Sequence, residues 1–326
     1  MRSRALLAAL AVLLAIGVGE AQPARKVWRI GYLGDGFRAE RLSINLTPFR
    51  DGLRELGYVE GQNLAIEERW TDGREERLPE HASDLVRQKV DVIVTHSVRS
   101  IKALQNATTT IPIVAAVMPD PVGNGLVTTL SRPGGNTTGM TDQVTELADK
   151  EIQFLKEALP HARRVTILWH ETNPGAKLTF EDTRRAVEKV GLAYDVVGVS
   201  APDQLESAIE RAAKGRADAL VVVHDILTVS QRATIAQAAL KHRLATICAS
   251  SPFVDAGGLL AYGPNLPAMF KRAAVFVDRI FRGARPADLP IEQPTKFELR
   301  VNLRTAKALG LTIPAALLLR ADEVLQ

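Results

Sequence analysis

Short apolar runs alternate with longer segments of helical periodicity along nearly the whole chain. Val, Ile and Leu dominate many of these runs, which is typical of strands that are buried on both faces of a parallel sheet. The predicted strands are Val27–Leu33, Leu64–Arg69, Asp91–Thr95, Ile111–Val117, Thr137–Met140, Val165–Trp169, Ala193–Val197, Ala219–Val223, Leu244–Cys248, Leu259–Tyr262 and Phe297–Val301.

Amphipathic helices are predicted between the strands, because apolar residues recur at i, i+3 and i+4 and each series is followed by Gly or Pro. The clearest series are Phe49–Leu56 before Gly57, Ile152–Leu159 before Pro160, Leu205–Ala212 before Gly215, and Leu266–Val277 before Gly283. Asn302 is expected to cap a helix near the end of the chain. Two successive β-α-β-α-β halves result, meeting near residues 141–148, and such alternation predicts doubly wound α/β lobes with parallel sheets.

The first 21 residues have the pattern of a signal peptide. Arg2 and Arg4 precede a nearly unbroken apolar run, and Gly19-Glu20-Ala21 offers small residues for cleavage after Ala21. The run is too short for a membrane-spanning helix, and nothing polar marks an amphipathic face for a buried helix instead. No cysteine lies nearby, so a lipid anchor is not expected.

Composition narrows the function classes. The chain has 41 Lys and Arg against 37 Asp and Glu. Loss of the leader removes two arginines and one glutamate, leaving 39 minus 36, a net charge of +3. That balance is too mild to indicate nucleic-acid binding. The mature length suits two domains, and the single cysteine, Cys248, excludes an internal disulfide and is expected to be a buried, inert thiol.

Polar and small side chains follow several predicted strands. In open parallel sheets, ligands bind beyond the carboxyl ends of the strands and at helix N-termini. We therefore predict that a small molecule contacts the residues at these positions. They are Asp35, Gly36, Phe37, His96, Ser97, Asp120, Thr141, His170, Asn173, Asp225 and Tyr262.

The three aspartates among them have two interpretations. Asp35, Asp120 and Asp225 could accept hydrogen bonds from a ligand ammonium, with helix N-terminal amides receiving a ligand carboxylate. Each could instead cap the helix that follows. Phe37 and Tyr262 could likewise form aromatic walls or simply pack. We expect Asp225→Ala to weaken binding without unfolding the protein.

Three histidines, His96, His170 and His224, also follow strands. Together they could bind a metal ion or an anionic ligand, or each could be hydrogen-bonded separately. No serine-nucleophile elbow, zinc-protease motif or phosphate loop occurs. No metal, cofactor or catalytic residue is therefore assigned.

One stretch fits the dinucleotide pattern G-x-G-x-x-G/A, from Gly34 to Ala39 after a strand. Two features argue against a nucleotide there. The helical period begins only near Leu42, and the acidic residues Glu67 and Glu68 come about ten residues later than the fingerprint requires. A flexible ligand loop is the favoured interpretation.

The end of the chain is the most distinctive part. It contains Gly-Gly-Leu-Leu-Ala-Tyr-Gly-Pro-Asn at 257–265, Leu-Pro-Ile-Glu-Gln-Pro-Thr-Lys-Phe-Glu-Leu-Arg-Val-Asn at 289–302, and Arg-Ala-Asp-Glu-Val-Leu at 320–325. With Asp120-Pro121-Val122, Gly125-Leu126-Val127 and residues 132–139, it resembles the TrpX-like substrate-binding proteins of ABC uptake transporters.

The resemblance implies a type 1 periplasmic binding protein, with two Rossmann-like lobes and more than one chain crossing. The expected lobes are residues 26–141 plus about 258–290, and 142–257 plus about 291–326, with hinges near 141–148 and in the last third of the chain. Hinge closure would bury an amino acid or small carboxylate, and an inner-membrane permease would be the partner of a monomer in the periplasm.

Two other function classes remain. One is a periplasmic enzyme, either a metal-assisted hydrolase or a dehydrogenase, which a bound metal or turnover would reveal. The other is a sensory module that reports the ligand to a receptor.

Overall fold

The computed structural model describes residues 26–143 and 147–326, apart from the side chains of residues 40–43. The predicted signal peptide and residues 144–146 of the predicted hinge lie outside this description. The strands are β1 (Trp28–Gly34), β2 (Leu64–Trp70), β3 (Val92–His96), β4 (Ile113–Met118), β5 (Thr137–Thr141), β6 (Arg164–His170), β7 (Ala193–Val199), β8 (Ala219–Val222), β9 (Ala245–Cys248), β10 (Leu260–Pro264), β11 (Phe297–Asn302) and β12 (Glu323–Leu325).

Helices follow most strands. They are α1 (Arg38–Arg41), α2 (Thr47–Glu55), α3 (Leu78–Arg87), α4 (Val98–Ala107), α5 (Ala148–Ala158), α6 (Pro174–Lys189), α7 (Leu205–Lys214), α8 (Ile226–Ser230), α9 (Arg232–Lys241), α10 (Pro252–Asp255), α11 (Leu266–Phe281), α12 (Leu303–Leu309) and α13 (Ala315–Leu318). A π-helical turn, Leu42–Leu46, joins α1 to α2, and short 3₁₀ turns occur at Glu75–Arg77, Pro202–Gln204 and Pro286–Asp288.

Two sheets form two lobes. The first is entirely parallel, in the order β2-β1-β3-β4-β5. The second has the order β12-β11-β10-β9-β8-β6-β7 and is parallel except where β10 meets β11. The crossovers bring the carboxyl ends of the parallel strands to one edge of each sheet, as the alternating pattern predicts.

Each lobe has its own apolar core. In the first, α11 packs Phe270 and Phe276, both about 1% exposed, beside Val114 of β4 and Phe49 of α2. Burying one such ring stabilises the fold by about 1.5–3 kcal/mol. These rings therefore help to hold α11 against the first lobe. In the second lobe, strands β6 and β8 to β11 pack on α5 and on the C-terminal helices.

Both lobe boundaries in the last third of the chain lie later in the structure than expected from the sequence. Strand β10 lies in the second sheet between β9 and β11, not in the first lobe, and the crossing to the first lobe comes at Asn265. The return comes later than expected, because Glu292 still pairs with β5 through the amide of Thr141 at 3.0 Å. Apolar runs locate strands but do not say which sheet receives them.

Candidate ligand-binding cleft

The strand ends of the two sheets face each other across a cleft. A pocket open to solvent lies between them, with about 650 Å³ of free space when the solvent at its mouth is included, and both lobes contribute lining residues. Five predicted site residues line it, namely Asp35, His96, Ser97, Asn173 and Asp225. The cavity is thus placed where open parallel sheets bind ligands.

The other predicted residues are distributed more widely. A neighbouring pocket, also open to solvent, touches Asp35 and is lined by Gly36, Phe37 and His170. Asp120 and Thr141 line a third cavity instead. Tyr262 lines none of these three. Its ring packs against Phe154, with ring centroids 4.8 Å apart, so packing is its role here.

Asp225 is held by donors from three directions. His170 Nδ1 lies 2.7 Å from Asp225 Oδ1, the amide of Leu227 donates to the same oxygen at 2.8 Å, and the Asn173 amide donates to Oδ2. Burial alone would raise the pKa of Asp225, but these hydrogen bonds and the nearby imidazole outweigh it, and the pKa is lowered. Asp225 also caps α8, so its capping role is real.

Asp35 faces Asp225 from the first lobe but is held differently. Ser97 Oγ donates to Asp35 Oδ2 at 2.9 Å, and Thr71 Oγ1 lies 3.3 Å from Oδ1. Ser97 also caps α4, and its backbone has a φ of 79°, a conformation that non-glycine residues seldom adopt. Strained backbone of this kind is concentrated at ligand sites. At Ser97 it occurs together with the hydrogen bond from the serine hydroxyl to Asp35.

Sequence reasoning missed Arg99, which lines the first cavity from the first turn of α4. Its Nη2 donates across the cleft to the carbonyl of Thr172 at 2.9 Å, and its guanidinium also pairs with Glu75 of its own lobe. Burial lowers the pKa of Arg99, while the carboxylates of Asp225 and Asp35 act in the opposite direction. A cation in the first turn of a helix interacts unfavourably with the helix dipole. This unfavourable placement is the sequence signal that could have identified Arg99.

The three strand-end histidines do not meet. His96 and His224 line the first cavity, whereas His170 lines the second. Within the described residues, no group of three or more His, Cys, Asp or Glu side chains is arranged to hold a metal ion. The shared metal site considered from the sequence therefore has no geometric basis in the described part of the chain.

Local packing and backbone conformation explain why glycine occupies two positions of the dinucleotide-like stretch. A Cβ on Gly34 would lie 2.2 Å from Trp70 Cε3, so only glycine lets the indole pack there. Gly36 has a φ of +89°, which glycine tolerates. The expectation that the helix starts only near Leu42 was wrong, because α1 begins at Arg38, and Arg38 Nε bonds Glu68 Oε2 at 2.7 Å.

A family model and a curated relative both match most of the chain. A family model described as ABC transporter substrate binding protein matches residues 41–325. A tyrosine-binding protein of Clostridioides difficile (strain R20291) is 28% identical over 265 residues, covering 81% of this chain and 75% of that protein. No helix among the described residues has the length and apolar character needed to cross a membrane.

Solved structures confirm the predicted fold, that of type 1 periplasmic binding proteins. The ABC domain from Streptococcus pneumoniae in complex with L-Trp aligns with a TM-score of 0.84 at 24% identity, covering 92% of this chain and all of that one. The ligand-free, open structure of a substrate-binding protein with adhesive properties from Clostridium difficile aligns with a TM-score of 0.66 at 26% identity and the same coverage.

Proposed function

Because the chain belongs to the family of ABC transporter substrate-binding proteins, we propose that it captures an aromatic amino acid between its lobes and delivers it to a membrane permease. The observation that carries this proposal is the pocket between the two sets of strand ends, which is lined by residues of both lobes. Its walls combine carboxylates and a guanidinium with apolar side chains such as Phe270, as small-molecule sites do. The tyrosine-binding relative supports the aromatic class.

The polar end of the cavity suits an amino-acid head group. Helix α4 begins there, so the amides of its first turn and the Arg99 guanidinium offer donors to a ligand carboxylate. Asp35 and Asp225 offer carboxylate oxygens to the ammonium from opposite lobes. This assignment uses Asp35 and Asp225, both expected from the sequence, and adds Arg99.

The lobe arrangement supports closure as the capture step. Arg99 donates to Thr172 across the cleft, and Val229 of α8 is buried in the apolar cluster of the first lobe. The TM-score is also higher against the L-Trp complex than against the ligand-free, open structure, at nearly equal identity. We infer that the described arrangement is closed and that a ligand exchanges its bound water for contacts with the cavity walls when the lobes meet.

We assign binding without turnover to this cleft. The Ser97 hydroxyl, which lines this cavity, donates to the Asp35 carboxylate and approaches Ser100 Oγ at 2.9 Å, an arrangement that caps a helix. The signal-peptide pattern of residues 1–21 supports work in the periplasm. We propose that the protein acts there as a monomer, with an inner-membrane permease as its partner.

The test is calorimetric titration of the mature protein with L-tyrosine and L-tryptophan, alongside a thermal-shift screen. A ligand that binds only the folded state raises the melting temperature by mass action. Tyramine, which lacks the carboxylate, and 3-(4-hydroxyphenyl)propionate, which lacks the ammonium, are matched controls. We expect each to bind at least about tenfold more weakly, because a charged hydrogen bond contributes about 1.5–3 kcal/mol.

Absence of a thermal shift with every amino acid would overturn the proposed ligand class. Tyramine binding as tightly as tyrosine would remove the α4 terminus and Arg99 from the site.

A further inference from the structure

The two ends of the first cavity are chemically different. In the second sheet, β8 lies between β6 and β9. Asp225 turns toward β6, where it bonds His170, whereas His224 turns toward β9, where its Nδ1 lies 2.9 Å from the carbonyl oxygen of Ala249. Arg99 reaches Thr172, which follows β6. Asp225 and Arg99 therefore lie on the β6 side of the cavity, and His224 lies on the β9 side.

Most of the walls near His224 are apolar, and Asp142, which follows β5 next to β4, adds one buried carboxylate to the lining. The first sheet contributes Val117 and Pro119 from the end of β4, which lies farther from β1 than Ser97 does. Helix α11 contributes Leu266 and Phe270, which are 3% and 1% exposed. If the head group lies on the β6 side, the His224 side receives the ligand side chain, and burial there favours an apolar ring.

The hydrogen bond of His224 fixes which ring nitrogen carries the proton. The Ala249 carbonyl oxygen can only accept, so Nδ1 must be the donor. In the neutral ring, Nε2 is then an acceptor, and within the described residues it makes no recorded hydrogen bond. An apolar cavity end with an imidazole acceptor matches a ring that ends in a hydrogen-bond donor.

We propose that His224 is a specificity-determining residue, and that it selects aromatic amino acids whose ring carries an O–H or N–H donor over those with a plain hydrocarbon ring. This inference rests on the proposed function, since it concerns the side-chain end of the same cavity. The reason for selection is physical: a site that hydrogen-bonds a ligand hydroxyl discriminates strongly against the analogue that lacks it.

The experiment compares L-tyrosine, L-phenylalanine and 4-fluoro-L-phenylalanine by calorimetry at about pH 8, where an ordinary imidazole is neutral. Tyrosine should bind at least about tenfold more tightly than either analogue. The fluoro analogue fills the para position without a donor, so it separates hydrogen bonding from shape. This comparison needs only the unmodified protein.

Two variants assign the effect to one side chain. His224→Phe keeps a flat ring without an acceptor, and it should bring the tyrosine-to-phenylalanine affinity ratio to within about threefold of unity. The control, Phe270→Leu, should weaken both ligands by a similar factor and leave the ratio within about threefold of the wild-type value, because it trims the apolar wall and the adjoining core without removing the His224 acceptor.

Equal affinity for tyrosine and phenylalanine in the wild type would overturn the inference while leaving amino-acid capture intact. The same holds if His224→Phe folds and keeps the wild-type ratio, or if L-lysine binds more tightly than tyrosine. Failure of all amino acids to bind would instead reject the proposed function itself.

Discussion

Two carboxylates buried in the second lobe behave in opposite ways. Asp225 and Glu151 are both about 5% exposed. The pKa of Asp225 is lowered, whereas burial raises the pKa of Glu151 to about 8. The difference lies in the donors, because Asp225 accepts from His170, Asn173 and the Leu227 amide. Within the described residues, Glu151 Oε1 has no hydrogen-bond partner.

The comparison shows that burial alone does not decide the state of a carboxylate. Desolvation penalises both anions, and preorganised donors reverse the outcome only at the cleft. Asp225 is thus maintained as an anion beside the ligand cavity, while Glu151 is tolerated in the core as a neutral acid. The carboxylate at the cavity is ionised, and the one in the core is neutral.

The largest expected effect comes from removing the satisfied carboxylate. Asp225→Ala leaves His170 and Asn173 without their buried acceptor and removes the cap of α8. We expect a loss of about 3–5 kcal/mol in the free energy of unfolding, measured by urea denaturation, together with weaker ligand binding. The sequence-based expectation, that this change weakens binding without unfolding the protein, stays a prediction, to which the capping role adds a cost in stability.

A matched control is Asp195→Ala, which removes an exposed carboxylate paired with Arg164 at 2.9 Å. It should cost at most about 1 kcal/mol, because exposed ion pairs contribute little. An Asp225 variant no less stable than this control would contradict the account of Asp225.

The second effect concerns Glu151 and has the opposite sign. Its folded-state pKa, about 8, lies above the ordinary value of 4.5, so the folded protein holds a proton that the unfolded chain releases. The wild type should therefore lose stability as pH rises from about 4.5 to about 8. Glu151→Gln should remove that slope and be more stable by a few kcal/mol at about pH 9.

Urea denaturation across this pH range measures the effect. Glu157→Gln on the same helix is the control, because Glu157 already has Gln153 as a donor at 2.9 Å and Arg320 as an ion-pair partner. Parallel stability curves for the wild type and Glu151→Gln would show that Glu151 is ionised in the fold.

Most of the fold follows from local pattern, and the site follows only in part. Strands such as β6 and β8 were predicted to within one residue at each end, since an apolar run reports burial directly. The three-residue strand β12 was missed, because its sequence carries no such run and its pairing with β11 depends on tertiary packing.

Strand ends predict which residues reach the cleft edge, but not where their side chains point. Asp225 reached the first cavity as expected, while Tyr262, placed by the same rule, turned into the core against Phe154. Arg99 was missed because helix residues were not considered beyond the cap. The direction of a side chain at a strand end is set by neighbours that are remote in sequence, and no local pattern encodes them.

The smallest expected effect tests why the pKa of Asp225 differs from that of Glu151. It asks whether the hydrogen-bond donors, and not the position in the fold, cause the difference. Asn173 donates to Asp225 through Nδ2 and caps α6 through Oδ1, which accepts from the Gly175 amide at 3.0 Å. Asn173→Ser keeps a capping oxygen but loses the amide donor, whereas Asn173→Ala loses both. We expect a cost of about 1 kcal/mol for Ser and about 2 kcal/mol for Ala in urea denaturation near neutral pH.

The pH dependence distinguishes the donor from the cap. A lowered pKa makes Asp225 stabilising above its ordinary value of 3.8, and that stability is lost as pH falls through the folded-state pKa. Removing the Asn173 donor should raise the pKa of Asp225, so both variants should begin to lose stability at a higher pH than the wild type. A serine variant that instead loses stability at the same low pH as the wild type would contradict this expectation. That result would mean that His170 and the Leu227 amide alone keep Asp225 ionised, and that the difference from Glu151 rests on those two donors.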